Sequence, residues 1–294
     1  MRRKRKNKNK FFINILLPAV LLFGASLAVM NQEQAAEVQL SDAPILEAHF
    51  IDVGQADSSL VRLPDGINIL IDGGTESTAP ELVRYLKAQN VNRIDILIAT
   101  HPHEDHIGGL ASVVKEFDIG SIYMPKVSHT IRSYERLLTA ISDKGLKVNT
   151  AKAGVVLTAG DVLEAEFLSP VSDEYDNLNN YSCALKITYG KTAFLFMGDA
   201  EALAEKEILN LGKDISANVL KVGHHGSSTS SSSSFLGAVN PKIAVISCGK
   251  NNSYKHPSAQ TLKRLEERSV NIYRTDEMGT IKISSDGNII AVNQ

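Results

Sequence analysis

The sequence predicts an αββα sandwich of the α/β class, in which two β-sheets pack face to face and helices cover both outer surfaces. Short β-branched runs alternate with amphipathic segments from residue 45 onward. The two halves of this region repeat an order of hairpin, helix and strand, which is typical of two sheets with helices outside. With 294 residues and 43% hydrophobic side chains, the chain can bury a large core.

A leader and a linker are predicted before this region. Seven of the first ten residues are basic, and residues 11–30 (FFINILLPAVLLFGASLAVM) follow as an apolar run of bilayer-spanning length. This order predicts an export signal in residues 1–30, either cleaved near residues 26–28 or kept as a membrane anchor. The positive-inside rule then predicts an extracellular protein, secreted or anchored to the membrane by residues 11–30. Residues 31–44 are polar and predict a linker to a domain over 45–294.

The charge of the remaining chain limits its partners. Residues 37–294 carry 24 basic and 32 acidic side chains. Proteins that hold nucleic acid by its phosphates usually present a basic face, so a large nucleic-acid footprint is disfavoured. A local basic patch around Lys250, Lys255 and Lys263 is compatible with this balance.

Turn and cap residues delimit the elements of the first half. Pro64, Asp65 and Gly66 predict a turn between the second and third strands. Pro80 suits the first turn of a helix, and Gly145 suits the end of one. The predicted elements are strands over 45–53, 58–63 and 67–72, a helix over 80–89, a strand over 93–100, a helix over 106–117, a strand over 121–125 and a helix over 131–145.

The second half repeats this pattern. Gly190 marks the turn of one hairpin. The serine run at 227–234 has the composition of a flexible loop, but its place directly after a histidine pair favours an active-site loop. The predicted elements are hairpins over 155–169 and 184–199, a helix over 200–212, strands over 218–223 and 242–249, a helix over 258–269, and strands over 271–274, 280–285 and 288–294.

Six of the eight histidines fall in three short segments, each after an apolar strand. The first segment holds four ligand-type side chains within six residues: His101, His103, Asp105 and His106. Alternation along the chain sends the first two to one side and the last two to the other. Two adjacent metal sites are therefore predicted.

Two further segments supply ligand-type residues at strand ends. Asp199 follows the strand at 192–197, where it could bridge two metals or cap the next helix. The pair His224 and His225 follows another strand and could complete the second site, with His224 favoured. Imidazole and carboxylate donors together suit one or two divalent transition-metal ions, Zn or Mn.

These motifs resemble the metallo-β-lactamase superfamily. Asp72 in LIDGG matches its first motif, and the segments just described match its second, fourth and fifth motifs. More narrowly, HFIDVGQADSSLVRLPDG, LKVGHHGSSTSSS and CGKNNSYKHPS are similar to the hydrolase domain of ComEC-type competence proteins. The resemblance implies an αββα sandwich with a dinuclear metal site at one edge.

The sequence departs from the superfamily at its third motif, which supplies a histidine. Asn179-Asn180-Tyr181-Ser182 stands there instead, which leaves Asn180, Ser182 or water to complete the site of His101 and His103. His129 is the only histidine between positions 106 and 199, and we interpret it as a bystander.

Further residues are placed near the predicted site. His256 precedes a helix and could donate a proton or contact a phosphate, although a capping role is nearly as well supported. Asp52, Gln55 and Asp57 are expected to orient the metal loop. Cys183 and Cys248 lie in apolar runs outside any C-x-x-C spacing, so one disulfide or two buried thiols both fit.

The predicted reaction is metal-dependent hydrolysis, with Asp105 acting as ligand and proton acceptor. The resemblance implies a phosphodiester substrate, either DNA or a phosphate ester of the cell envelope. An acyl hydrolase acting on a β-lactam or thioester is the alternative enzyme. A non-catalytic module that binds DNA or an envelope partner is the alternative of another class.

Overall fold

Two β-sheets form the centre of the protein in the computed structural model, which describes residues 40, 44–157 and 164–293. Their strands are β1 Leu46–Phe50, β2 Ser59–Arg62, β3 Asn68–Ile71, β4 Arg93–Ile98, β5 Asp118–Met124, β6 Val148–Thr150, β7 Val156–Leu157, β8 Glu164–Phe167, β9 Leu185–Tyr189, β10 Thr192–Phe196, β11 Val219–Lys221, β12 Ile243–Ile246, β13 Asn271–Arg274, β14 Ile281–Ser285 and β15 Ile290–Asn293.

Each sheet combines antiparallel hairpins with a parallel half. Within the described residues, one sheet has the order β15-β14-β1-β2-β3-β4-β5-β6 and the other the order β13-β12-β11-β10-β9-β8-β7. The strands from β3 to β6 pair in parallel, as do those from β10 to β13. Parallel strands end at the same edge of a sheet, so the loops that follow them are gathered there.

Helices cover the outer face of each sheet. They are α1 Ala79–Ala88, α2 Glu104–Ile107, α3 Leu110–Glu116, α4 Arg132–Asp143, α5 Ala202–Asn210, α6 Ser233–Val239, α7 Ala259–Glu266 and α8 Thr275–Met278, with 3₁₀ turns at Leu178–Tyr181 and Gly223–Gly226. Local signals set several of these ends. The Ser258 hydroxyl, for example, accepts a hydrogen bond of 3.1 Å from the Thr261 N–H and so caps α7.

The buried apolar side chains form three layers. Phe50 and Phe196 stack between the two sheets, with ring centroids 5.7 Å apart. A second layer lies between the first sheet and α1, α3 and α4, and a third between the other sheet and α5, α6 and α7. These layers confirm the predicted αββα sandwich.

Several predicted elements differ in detail. The helix predicted over 106–117 is two helices, because the Gly109 N–H donates to the Gly74 carbonyl at 3.1 Å and not to a carbonyl of the preceding helical turn. Strand β6 and helices α6 and α8 were not predicted. The turn of the hairpin predicted over 155–169 lies outside the described residues. Cys183 and Cys248 are both buried free thiols in the described chain, so they form no disulfide.

The predicted signal or anchor over residues 1–30 also lies outside the described residues, as does almost all of the linker over 31–44. Within the part of the chain that the structure describes, no helix combines the length and hydrophobicity needed to cross a bilayer.

Candidate metal centre

Ligand-type side chains from both sheets converge at the edge where the parallel strands end. Asp72 directly follows β3, and the His101–His106 segment follows β4. Asp199 and the His224–His225 pair follow β10 and β11 of the other sheet. Gly198 has a φ of 52°, and a Cβ atom there would lie 3.0 Å from the Thr100 side chain. Glycine therefore allows the two sets of loops to touch.

Four of these residues form one cluster: Asp105, His106, Asp199 and His225. One ligand atom from each lies within 4.8 Å of the others. The Nε2 atom of His106 is 3.2 Å from an Asp199 oxygen, and the Nε2 atom of His225 is 3.3 Å from an Asp105 oxygen. The cluster can supply two imidazoles and two carboxylates to one ion.

A second cluster shares Asp199 with the first. His101 Nε2 and His103 Nδ1 are 3.0 Å apart, and His101 Nε2 lies 3.9 Å from the second oxygen of Asp199. Oδ1 of Asp199 lies beside His106, and Oδ2 lies 3.7 Å from His225 and 3.9 Å from His101, so this carboxylate would be available to ions in both groups. The structure thus brings together six of the seven residues that the sequence predicted as metal ligands.

The donor atoms fit divalent metal ions. Among the described residues, the buried atoms His106 Nε2 and Asp199 Oδ1 have no well-formed hydrogen bond, although each lies beside the other. Buried polar atoms in proteins are almost always satisfied, so atoms like these call for a partner such as an ion. The mixture of imidazole and carboxylate donors is the one that Zn²⁺ and Mn²⁺ accept.

Asp72 fixes the orientation of His106. Its Oδ2 atom accepts a hydrogen bond of 2.7 Å from His106 Nδ1, and since a carboxylate only accepts, the imidazole proton sits on Nδ1. In the neutral imidazole the lone pair is then on Nε2, the atom that faces Asp199. The N–H and hydroxyl of Thr100 hold Asp72 in turn, at 2.8 and 2.7 Å. Such partners of a ligating histidine raise metal affinity.

A buried ion pair lies behind His225. The Lys221 ammonium is 2.8 Å from Asp57 Oδ2, and both side chains are almost fully buried. Asp57 Oδ1 is 3.4 Å from His225 Nδ1, which also lies 3.0 Å from the Ser247 carbonyl. The Asp57 N–H donates to the Asp105 carbonyl at 3.0 Å, so the turn around Asp57 does support the metal loop.

The carboxylates give the cluster a negative potential. Burial alone would lower the pKa of His225, but Asp199, Asp57 and Asp105 outweigh it and raise that pKa to about 10. For Asp105 burial alone would raise the pKa, but the nearby His106 and the hydrogen bond from His225 outweigh burial and lower that pKa to about 2. A bound cation would take the place of the protons that this potential attracts.

The sequence favoured His224 over His225 as the ligand, and the structure reverses that order. Both residues adopt left-handed backbone conformations, with φ of 49° and 52°. This turn points His225 into the cluster and leaves His224 beside Glu201, with Nδ1 3.1 Å from its carboxylate. His224 still lies 3.7 Å from Asp199, at the edge of the site.

Asn179 is a candidate that the sequence analysis missed. The side-chain oxygen of Asn180, one of the expected substitutes for the absent histidine, faces the N–H groups of Glu201 and Ala204 at the start of α5. The Ser182 hydroxyl accepts from the Asp199 N–H at 3.0 Å and lies 3.4 Å from His101 Nδ1. Asn179 lines the cleft, its NH₂ group donates to Glu201, and its buried Oδ1 lacks a hydrogen bond within the described residues. The amide oxygen of Asn179 is thus free for a ligand.

An open cleft of about 390 Å³ leads to the clusters. Its lining includes His103, Asp105, Asp199, His225, Tyr254 and His256. The ring of His256 lies 5.5 Å from that of His224, which places it beside the clusters but outside them. Burial, together with His224 and His225, lowers the pKa of His256, so its imidazole is neutral at pH 7.

Two other predicted features are placed by their contacts. His129 belongs to neither cluster, and its Nδ1 accepts from the Ile131 N–H at 3.1 Å. The serine run is held in place, because Arg264 donates to the carbonyls of Ser228, Ser230 and Ser231. These bonds fix the backbone of the run directly after the histidine pair.

Comparison with known proteins gives the family context. Residues 51–250 match the model of the metallo-beta-lactamase superfamily. ComE operon protein 3 of Bacillus subtilis is 36% identical over 253 residues, covering 80% of this chain and 32% of that protein. Competence protein ComA of Neisseria gonorrhoeae is 33% identical over 233 residues, covering 79% and 31%. The chain thus spans about a third of the length of these relatives.

Among solved structures, the diiron beta-hydroxylase CmlA from Streptomyces venezuelae shares the fold. It superposes with a TM-score of 0.52 at 16% identity, over 80% of this chain and 53% of that one. At this identity the likeness concerns the fold alone.

Proposed function

The chain belongs to the metallo-beta-lactamase superfamily, and from that premise we propose that it is an exported, metal-dependent phosphodiesterase. Its hydrolase fold and its His/Asp clusters are the basis. The substrate would be DNA or a phosphodiester of the cell envelope, and the ions would be Zn²⁺ or Mn²⁺.

The shared position of Asp199 is the observation that carries this proposal. One of its oxygens lies beside His106 and the other beside His101, so two ions held by the clusters would be neighbours. Bound divalent ions supply Lewis acidity, which stabilises the charge that develops on phosphoryl oxygens.

The protein's own residues would prepare the site around the ions. Asp72 keeps the proton of His106 on Nδ1. Asp105 is ionised at neutral pH, which suits a metal ligand, but a pKa of about 2 makes its carboxylate a weak proton acceptor. His256 is neutral at that pH, which favours a hydrogen bond to the substrate over the donation of a proton.

One of these relatives is named as a competence protein, which supports a DNA-related role. The excess of acidic residues disfavours a long footprint on duplex DNA. A short contact at the mouth of the cleft agrees with both observations.

A substrate panel tests the reaction. The metal-loaded full chain is assayed with bis-p-nitrophenyl phosphate, single-stranded DNA and nitrocefin, with His129→Ala as the matched histidine control. We expect phosphodiester hydrolysis that the Asp199→Ala variant loses and the His129→Ala variant keeps. Nitrocefin turnover without phosphodiester cleavage would replace the proposal by acyl hydrolysis.

Export is tested separately, because it rests on the basic leader and the apolar run of residues 11–30. Protease added to intact cells should digest the protein, or the protein should be found in the medium. Full protection alongside a protected cytosolic control would contradict export.

A further inference from the structure

Tyr254 is an exposed aromatic side chain at the mouth of the cleft. It is 70% exposed and lines the same cleft as Asp105, Asp199 and His225. Among the large apolar side chains that are exposed in the described chain, Tyr254 alone is aromatic. An aromatic ring at the mouth of a polar cleft offers a face on which a flat ligand group can stack.

The loop that carries Tyr254 is held by specific hydrogen bonds. The Asn252 side chain accepts from the His256 N–H at 2.9 Å and donates to the His256 carbonyl at 2.5 Å. At the start of the loop, the Gly249 N–H donates to the Gln55 side chain at 2.9 Å. The loop that carries the ring is therefore fixed before a ligand binds, which lowers the entropic cost of binding.

A series of ring contacts leads from Tyr254 to the metal centre. The rings of Tyr254 and His256 stack with centroids 5.8 Å apart and an interplanar angle of 25°. The His256 ring lies 6.5 Å from that of His225, which belongs to the first cluster. A flat group stacked on Tyr254 would thus hold the adjoining part of the same molecule close to the clusters.

The charges of the loop select the kind of ligand. Lys250 and Lys255 are exposed in the same loop, which favours a polyanion and disfavours a cation. A quaternary ammonium group such as choline is usually bound in a cage of several aromatic rings, whereas Tyr254 is the one exposed ring here. Nucleobases stack on single aromatic rings without sequence preference, and they offer a free face when the strand is unpaired.

We infer that Tyr254, stacked on His256, is a platform for a nucleobase of single-stranded nucleic acid, which sets an adjacent phosphodiester at the metal centre. This inference rests on the proposed phosphodiesterase function and selects a nucleic acid over an envelope phosphate ester. Tyr254 acts here as a specificity-determining residue.

Fluorescence provides a test that does not depend on activity. The chain contains no tryptophan, so a Tyr254→Trp variant of the full chain has a single reporter at the platform. The probes are a thymine oligonucleotide and an abasic strand of the same length, both with phosphorothioate linkages to limit cleavage. We expect the thymine strand to quench the tryptophan and the abasic strand to leave it unchanged. Equal quenching by both strands, quenching by neither, or displacement of the thymine strand by phosphocholine would overturn the inference.

Binding and cleavage by further variants separate the inference from the proposed function. Tyr254→Ala should weaken binding of the thymine strand about 5- to 100-fold, as expected for loss of one stacked base, and Tyr254→Phe should restore it. Val148→Ala, an exposed apolar change on edge strand β6, is the control. An abasic phosphodiester strand should be cleaved at the same rate by the wild type and by Val148→Ala. If the abasic strand is cleaved but Tyr254→Ala binds the thymine strand with wild-type affinity, the inference about Tyr254 is wrong and the proposed phosphodiesterase function is retained. If Tyr254→Ala weakens binding of the thymine strand but no phosphodiester is cleaved, the proposed phosphodiesterase function is wrong and the stacking role of Tyr254 is retained.

Discussion

Replacing Lys221 by methionine is expected to lower the free energy of unfolding by about 3–5 kcal/mol, the usual cost of leaving one partner of a buried ion pair unpaired. The Lys221 and Asp57 side chains are only 3% and 6% exposed, and their charged atoms are 2.8 Å apart. Burial alone would raise the pKa of Asp57, but Lys221 and then His225 hold it well below its usual value. Without Lys221, the carboxylate must therefore stay buried with less compensation or take up a proton.

The assay is urea unfolding of the full chain at pH 7, with a double-mutant cycle. The double variant Lys221→Met/Asp57→Asn retains neither charge of the pair. Its loss in free energy of unfolding should therefore be smaller than the sum of the losses of the two single variants, by roughly 2 kcal/mol. Lys87→Met is the matched control, because the charged atoms of the Lys87–Glu116 pair are 2.7 Å apart, a similar distance, but its side chains are 55% and 49% exposed. It should cost less than about 1 kcal/mol. Additive single variants, or a Lys221→Met cost no larger than that of Lys87→Met, would refute the reasoning.

Three other changes test the site and the fold. Asp72→Asn should lower metal affinity about 10- to 100-fold in a competition titration, because the neutral amide no longer fixes the proton of His106 on Nδ1, and unchanged affinity would contradict that role. Asp199→Ala should lose bound metal when measured by elemental analysis, whereas His129→Ala should keep it; equal metal contents would show that the ligands are misassigned. Burial, with Lys282 and Arg62 nearby, lowers the pKa of His49 to about 3, so below pH 6.5 the unfolded chain binds a proton that the folded one does not. The free energy of unfolding should therefore decrease as the pH is lowered, and His49 should account for a loss of about 2 kcal/mol at pH 5. A His49→Gln variant whose stability depends on pH as that of the wild type does would contradict this contribution.

The sequence was most informative where chemistry and strand pattern coincide. Apolar runs such as RIDILI predicted strands with ligand-type residues directly after them. The structure shows that these strands pair in parallel, so the residues after them meet at one sheet edge. The convergence of His101, His106 and Asp199 followed from that placement.

Details that depend on single backbone angles could not be predicted. The sequence does not reveal that His224 and His225 are both left-handed, and this conformation decides which ring enters the cluster. In the same way, Asn179 and Asn180 are adjacent and identical in type, and only the turn at Leu178–Tyr181 determines which one faces the cleft. Helix α6 was missed because its first two residues belong to the serine run, whose composition resembles that of a loop.

Metal titration of the chelator-treated full chain, followed by hydrolysis of bis-p-nitrophenyl phosphate, tests the central claim most directly. The two clusters that share Asp199 predict no hydrolysis without metal, and activity that saturates at one or two equivalents of Zn²⁺ or Mn²⁺. Full activity in the absence of metal, or less than half an equivalent bound after reconstitution, would contradict a metal-dependent hydrolase centre at this edge of the sandwich.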